Sequence, residues 1–156
     1  MCGLPTWTCC LSRGTSLGRG VVQHNVLAKK LVEEACGGKI LDPNYTGIVF
    51  LDGKHVLGAG VFTNYWPGCD VEYTATLYDG IVGIRIARIV AHHVFVTMGC
   101  HRCTAITRRD NIKAQTALAK IGFMFEGVMR EHFPGRVDGY VFGLLRTEQR
   151  LIKGLS

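Results

Sequence analysis

Four basic side chains crowd one stretch of this chain: Arg102, Arg108, Arg109 and Lys113. Cations set this closely either attract an anionic ligand such as a phosphate group or form a solvated face. Just ahead of them, "CHRC" at Cys100 to Cys103 has the spacing of half a zinc site. No second ligand pair follows, so these cysteines are read as lying in or beside a strand, and no metal is expected. His92 and His93 are read as stripe and packing residues of a helix rather than as ligands. Asn111 stands directly before a short helical pattern that stops at Gly122. Its carboxamide is suited to accept from the first free amides of that helix.

Elements must position these residues, and the pattern supplies them. Val26, Leu27, Leu31, Val32 and Ala35 recur at helical spacing from Asn25 to Cys36, and Gly37-Gly38 follows as a stop. "GIVFL" and "HVLGAGVF" flank Asp52-Gly53, a hairpin signal, and "TNYWPG" reads as the next turn. "DVEYTATLY" is rich in β-branched and aromatic residues and completes a three-stranded meander. "GIVGIRIARIVAHHVFVTM" is too long for a strand and reads as one helix, with Arg85, Arg88 and His92 on its outer stripe. "HRCTAIT" is the next strand, parallel to the one before the helix because a crossover joins them. A helix over Asn111 to Ile121 follows, then "GFMFEGVMRE" and "GYVFGLLR" as an antiparallel pair about Pro134-Gly135. "WTCCLSR" is read as a short edge strand within an otherwise unassigned segment, residues 1–22. The fold class is α/β with a mixed sheet, in the order β–α–βββ–α–β–α–ββ.

The chain has 156 residues, 47% hydrophobic and 19% charged, which fits a single globular domain over residues 1–156. Arg85, Arg88, His92 and His93 interrupt the longest apolar run, so no membrane span is expected. The first residues lack a signal-peptide design, and seven irregularly spaced cysteines suit a reducing compartment, so a cytoplasmic protein is expected. A formal net charge of +6 favours anionic partners.

The element order, together with "N-x-x-A-x-x-x-L-x-x-I-G-F-x-x-E-G" from Asn111 to Gly127, resembles the GCN5-related N-acetyltransferase (GNAT) family. "GVMRE" and "DGYVFGLLRTE" most resemble its ribosomal-protein N-terminal acetyltransferase branch and small phage-encoded members. The resemblance implies an acyl-CoA N-acyltransferase fold with acetyl-CoA as co-substrate and direct transfer to an amine acceptor, a protein or a small molecule. It implies a sheet that splays between "EYTATLY" and "CTAIT". The cofactor's arm would pair with the backbone at Thr76, Leu77 and Tyr78, and an amide there would polarise the thioester carbonyl. The pyrophosphate would meet the start of the long helix, at Gly80, Val82, Gly83 and Ile84, with Arg85 beside it. Asn111 matches a position near the cofactor arm, either as a contact, as a helix cap, or as both. Ala114 is small where the cofactor would pass.

Two positions depart from the family pattern. Asp79 sits where a phosphate would approach, and Leu118 stands where many members carry the tyrosine that protonates the leaving thiolate. Tyr78, Tyr73 or water would then supply that proton. Glu72 is the first candidate for the general base an ammonium acceptor needs, with His132 and Glu126 behind it. Strand alternation puts Glu72, Thr74 and Thr76 on one face and Tyr73, Ala75 and Leu77 on the other; either face could meet the acceptor. Two alternatives stand beside the enzyme reading: a catalytically inactive protein-binding module, and an acetyltransferase acting on aminoacyl-tRNA, although no interleaved aromatic and basic stripe for nucleic acid is present. Self-association as a homodimer stays open.

Overall fold

A computed structural model describes residues 19–78 and 84–153. Seven strands form one sheet: β1 (Arg19–Gln23), β2 (Thr46–Asp52), β3 (His55–Trp66), β4 (Asp70–Leu77), β5 (Arg102–Arg108), β6 (Met124–Phe133) and β7 (Val137–Leu145). Their order is β1-β2-β3-β4-β5-β7-β6. Every neighbouring pair is antiparallel except β4 and β5, which run parallel because a helical crossover joins them. The expected meander and the expected C-terminal pair are both present. The C-terminal pair is inserted so that β7, not β6, lies beside β5.

Helix α1 (Asn25–Cys36) packs on one face of the sheet. Its Ala28 and Val32 are buried against Val49, Ala59 and Val61. The contact is close because Gly47 of β2 has no side chain: a Cβ there would lie 2.7 Å from the Ala28 Cβ. His24 caps the helix start, its Nδ1 accepting from the Leu27 amide at 3.1 Å, and Gly37 closes the end in a left-handed conformation with φ 66°.

Helices α2 (Ile84–His92) and α3 (Ile112–Ile121) lie on the other face. There Ile86, Val90, Val94 and Phe95 join Phe50, Phe62, Val71, Tyr73, Phe142 and Leu144 in the larger core. The single long helix expected after residue 80 is an α-helix only to His92, and His93–Thr97 form a π-helical turn. The buried pairs Ile86-Ala87, Val90-Ala91 and Val94-Phe95 explain the change. They repeat every four residues, whereas an α-helix drifts about 40° over that interval, and a wider turn brings the last pair back onto the sheet. Arg85, Arg88 and His92 are exposed, as the periodicity predicts.

The edge strand among the described residues is Arg19–Gln23; the edge strand read at "WTCCLSR" lies outside the described residues. One further expectation needs correction. The turn at "TNYWPG" is narrower than expected, because β3 continues through Tyr65 and Trp66. It does so through a bulge at Asn64-Tyr65, between the register pairs Thr63–Glu72 and Trp66–Asp70. Among the described residues no helix is long and apolar enough to cross a membrane.

Candidate active site

Strands β4 and β5 meet at one register pair only, Glu72 with Thr104. Beyond it each strand stays paired on its other side, β4 with β3 as far as Leu77 and β5 with β7 as far as Arg108. The facing edges, Tyr73 to Leu77 and Ala105 to Arg108, share no ladder. The sheet therefore divides at Glu72 and opens towards the C-terminal ends of the two parallel strands. Backbone polar groups along such an opening need partners, and an extended amide-bearing ligand can supply them. Thr76 and Leu77 lie on the open segment of β4, and the exposed Tyr78 follows it directly. Gly58 of β3 lets the neighbouring strand close on that segment, since a Cβ there would collide with the Thr76 carbonyl and lie 2.9 Å from the Leu77 Cα.

The other wall is fixed by the connection from β5 to α3. Asn111 is the N-cap of α3, its Oδ1 accepting from the Ala114 amide at 3.1 Å. Gln115 donates its side-chain amide to the carbonyls of Arg108 (3.2 Å) and Arg109 (2.8 Å), and the Arg109 amide donates to the Asp138 carbonyl at 3.0 Å. The start of α3, with the half-buried Ala114, is thus tied to the end of β5 beside the opening. Gly122 ends α3 at φ 103° and turns the chain into Phe123 and the core. Ile84 and Arg85, both exposed, begin α2. Gly80, Val82 and Gly83, like Asp79, lie outside the described residues.

Side-chain alternation in β4 follows the sequence: Tyr73, Ala75 and Leu77 turn to the α2 core, so Glu72, Thr74 and Thr76 share the α1 face. Glu72 accepts from Asn64 Nδ2 at 2.9 Å. The backbone amide of Asn64 donates to Asp42 Oδ2 at 2.7 Å. On the same face Asp70 accepts from Thr104 Oγ1 at 2.7 Å and lies 3.5 Å from Arg102 Nε. Arg102 in turn grips both oxygens of Glu126 in a two-pronged ion pair, one prong at 2.8 Å. That pair lies directly over Gly143 of β7, where a Cβ would strike the Glu126 carboxylate.

These contacts sort the candidates. Glu126 is a poor base, because hydrogen bonding from Arg102 holds its carboxyl below the usual carboxylate range. His132 is exposed on the edge strand, packed over Gly139 towards Ile106. Tyr73 is a core residue, 8% exposed, its ring 5.0 Å from that of Phe62 and its hydroxyl pushed up by burial. Leu118 also packs against the core. Most of the basic cluster is internally compensated: Arg108 is bidentate on Asp110 at 3.0 and 2.8 Å, and Arg109 pairs with Asp138 at 3.3 Å. Among the described residues, Lys113 alone of the four has no ion pair, so the phosphate role weighed for Arg108 and Arg109 would require breaking these pairs first.

Cys100 and Cys103 are buried. Burial, with Asp70 and Cys69 adding to it, pushes the Cys100 thiol up to about 11, and burial raises Cys103 as well, so neither is a ready thiolate. His93 lies against Phe62 with ring centroids 4.7 Å apart, and burial followed by the nearby His92 holds it towards the neutral form. Among the described residues no three metal-ligating side chains converge. Sequence reasoning missed Asn64 because "TNYWPG" reads as a turn. The available signal was an Asn, which tolerates a left-handed backbone, at the end of a β-branched run.

This architecture matches solved acetyltransferase structures. The chain has the GNAT acetyltransferase fold. A protein from T. thermophilus, solved as a candidate acetyltransferase, superposes with TM-score 0.61 at 23% identity, covering 69% of this chain and 62% of that one. A variant of spermidine N-acetyltransferase from Vibrio cholerae gives TM-score 0.59 at 19% identity, with 69% and 67% covered. The ribosomal-protein-S5-alanine acetyltransferase from Vibrio fischeri gives 0.58 at 18% identity, with 68% and 64% covered. The chain thus spans less than two thirds of the length of the first and third of these proteins. No family model and no curated protein matches the sequence.

Proposed function

We propose that this chain is an acetyl-CoA-dependent N-acetyltransferase that transfers acetyl directly to a primary amine. The observation that carries the reading is the division of the sheet beyond Glu72 and Thr104, which leaves the edge of β4 from Tyr73 to Leu77 unpaired by β5. The pantetheine arm of acetyl-CoA, with its two amides, fits that edge as an added strand. Thr76, Leu77 and Tyr78 supply the backbone partners, with Ala114 and Asn111 on the opposite wall. Gly80, Val82, Gly83 and Ile84, with Arg85, are assigned to the phosphates. Glu72 takes a proton from the acceptor ammonium. The amine nitrogen then forms its bond to the acetyl carbon and gives up a second proton to solvent, the carbon–sulfur bond breaks, and solvent or Tyr78 protonates the leaving thiolate. No residue is acylated in this scheme. Spermidine and a ribosomal-protein alanine, named for two structures of the same fold, motivate a polyamine or a protein N-terminus as acceptor.

A second reading, a non-catalytic binding module on the same fold, is favoured by Leu118, which packs against the core where a proton donor would be expected. Thermal-shift titration with acetyl-CoA and with CoA separates the two. A ligand at about one hundred times its dissociation constant adds about 2.7 kcal/mol, which raises the midpoint by roughly 5–11 °C in a domain of this size. A rise of that order supports the enzyme; no rise at millimolar ligand removes it in favour of the module.

A further inference from the structure

We infer that Asn64 is a positioning residue that fixes the Glu72 carboxylate at the point where the sheet divides. The inference rests on the reading of Glu72 as the base. Asn64 occupies the bulge of β3 directly after Thr63, the register partner of Glu72, and has φ 50°, a left-handed backbone that glycine adopts without cost. The backbone alone would therefore favour glycine. What the asparagine adds is a carboxamide, and its Nδ2 donates to Glu72 Oε2 at 2.9 Å. The residue is itself anchored, since its amide donates to Asp42 Oδ2 at 2.7 Å, and Asp42 accepts a second amide, that of Asn44, at 2.8 Å. The left-handed turn and the Asp42 anchor thus aim one neutral donor at one oxygen of Glu72.

The neighbouring carboxylates show what this arrangement achieves. Asp70 is occupied by Thr104 and lies against Arg102, and Glu126 has both oxygens on Arg102. A guanidinium stabilises the charged form and lowers basicity. Among the described residues Glu72 has no cationic partner, and its Oε1 accepts no hydrogen bond. A neutral amide on Oε2 restricts the side chain while leaving Oε1 open to take a proton. Glu72 is also the β4 member of the only register pair joining β4 to β5. Its carboxylate is therefore carried on the most firmly held part of the opening.

The test is a double-mutant cycle in the full chain, with Asn64→Gly, Asn64→Asp, Glu72→Gln and the two combinations. The glycine substitution preserves the backbone and removes the donor. The aspartate substitution preserves size and turn preference but cannot donate when ionised. Thiol release from acetyl-CoA is followed with spermidine and with a peptide bearing a free N-terminal alanine. The expected result is a fall in kcat of about tenfold or more for both Asn64 variants, the scale of one hydrogen bond to a charged group. The KM for acetyl-CoA stays at the wild-type value, while the thermal midpoint falls by a few degrees for the loss of an exposed hydrogen bond. In the Glu72→Gln background the same Asn64 changes alter kcat less than about twofold, since both residues act through one group. Equal losses in both backgrounds overturn the inference while leaving the acetyltransferase reading intact. A Glu72→Gln enzyme with the wild-type kcat overturns the inference and the assignment of the base. Wild-type protein that turns over neither acceptor overturns the inference and the proposed function together.

Discussion

Replacing Gly58 by alanine tests the link between packing and cofactor binding. A Cβ at this position would collide with the Thr76 carbonyl and lie 2.9 Å from both the Cα and the Cδ2 of Leu77. Two of these three atoms belong to the backbone of β4 and cannot rotate away. The φ of 155° at Gly58 adds strain for any side chain. Overpacking of this kind costs about 1–3 kcal/mol, which lowers the melting midpoint by roughly 2–12 °C in a domain of this length. The displaced segment is the one assigned to the acetyl-CoA arm, so the KM for acetyl-CoA should rise together with the loss of stability. Gly47→Ala is the control. It creates a milder clash, with the Ala28 Cβ at 2.7 Å and the Asn25 Cα at 3.0 Å, between β2 and α1. It should lower the midpoint by a smaller amount without moving that KM. Calorimetry gives the first quantity and steady-state kinetics the second. A Gly58→Ala protein with the wild-type midpoint would refute the packing argument. One with a lowered midpoint and an unchanged KM would refute the placement of the cofactor arm.

Two further outcomes are expected. Asn111→Ala removes the cap of α3 and costs about 1 kcal/mol by chemical denaturation, whereas Asn111→Ser keeps most of the cap; an increased acetyl-CoA KM in the serine variant would assign the carboxamide a contact beyond capping, and an unchanged KM would leave it a cap alone. The pH dependence of stability should carry the signature of Glu126. Its carboxyl is held below the unfolded value of about 4.3, chiefly by hydrogen bonding from Arg102, so its contribution is fully present above that pH and is lost as pH falls through the depressed folded value. The side chains of Arg102 and Glu126 are 26% and 37% exposed, so solvent screening limits the pair to about 1 kcal/mol or less. Glu126→Gln should thus melt up to about 4 °C below wild type near neutral pH, with the gap closing as pH falls through the depressed folded value, and a gap that does not narrow with acidification would refute the assignment.

Much of the fold was legible because local rules and global packing agree. Gly37, Asn111 and Gly122 stop and start helices with groups that satisfy terminal amides, or that accept a left-handed backbone. Asp52-Gly53 marks its hairpin for the same kind of local reason, and alternation along β4 sorted Glu72 from Tyr73 correctly. The π-helical turn at His93 was not legible, because a period of four and one of 3.6 residues differ little over a single short helix. The charge cluster was misleading for another reason. Arg108 and Asp110 are near neighbours in sequence, but the partners of Arg109 and Arg102 lie 29 and 24 residues away.

The sequence by itself determined the helices and strands from α1 to β7 apart from the π-helical turn, that β4 and β5 run parallel, and that Glu72 and Tyr73 lie on opposite faces of β4. These depend on periodicity, capping and the handedness of a crossover, all of which act over short separations. Only the tertiary structure decided that β7 inserts beside β5, that β4 and β5 part after one register pair, and that Asn64 reaches Glu72 across a bulge. The first two depend on backbone groups of remote segments competing for the same partners, and the third on a side-chain pair brought together by a bulge in the β3–β4 hairpin. When β3 holds one edge of β4 and β7 holds one edge of β5, the edges left facing each other are free to diverge.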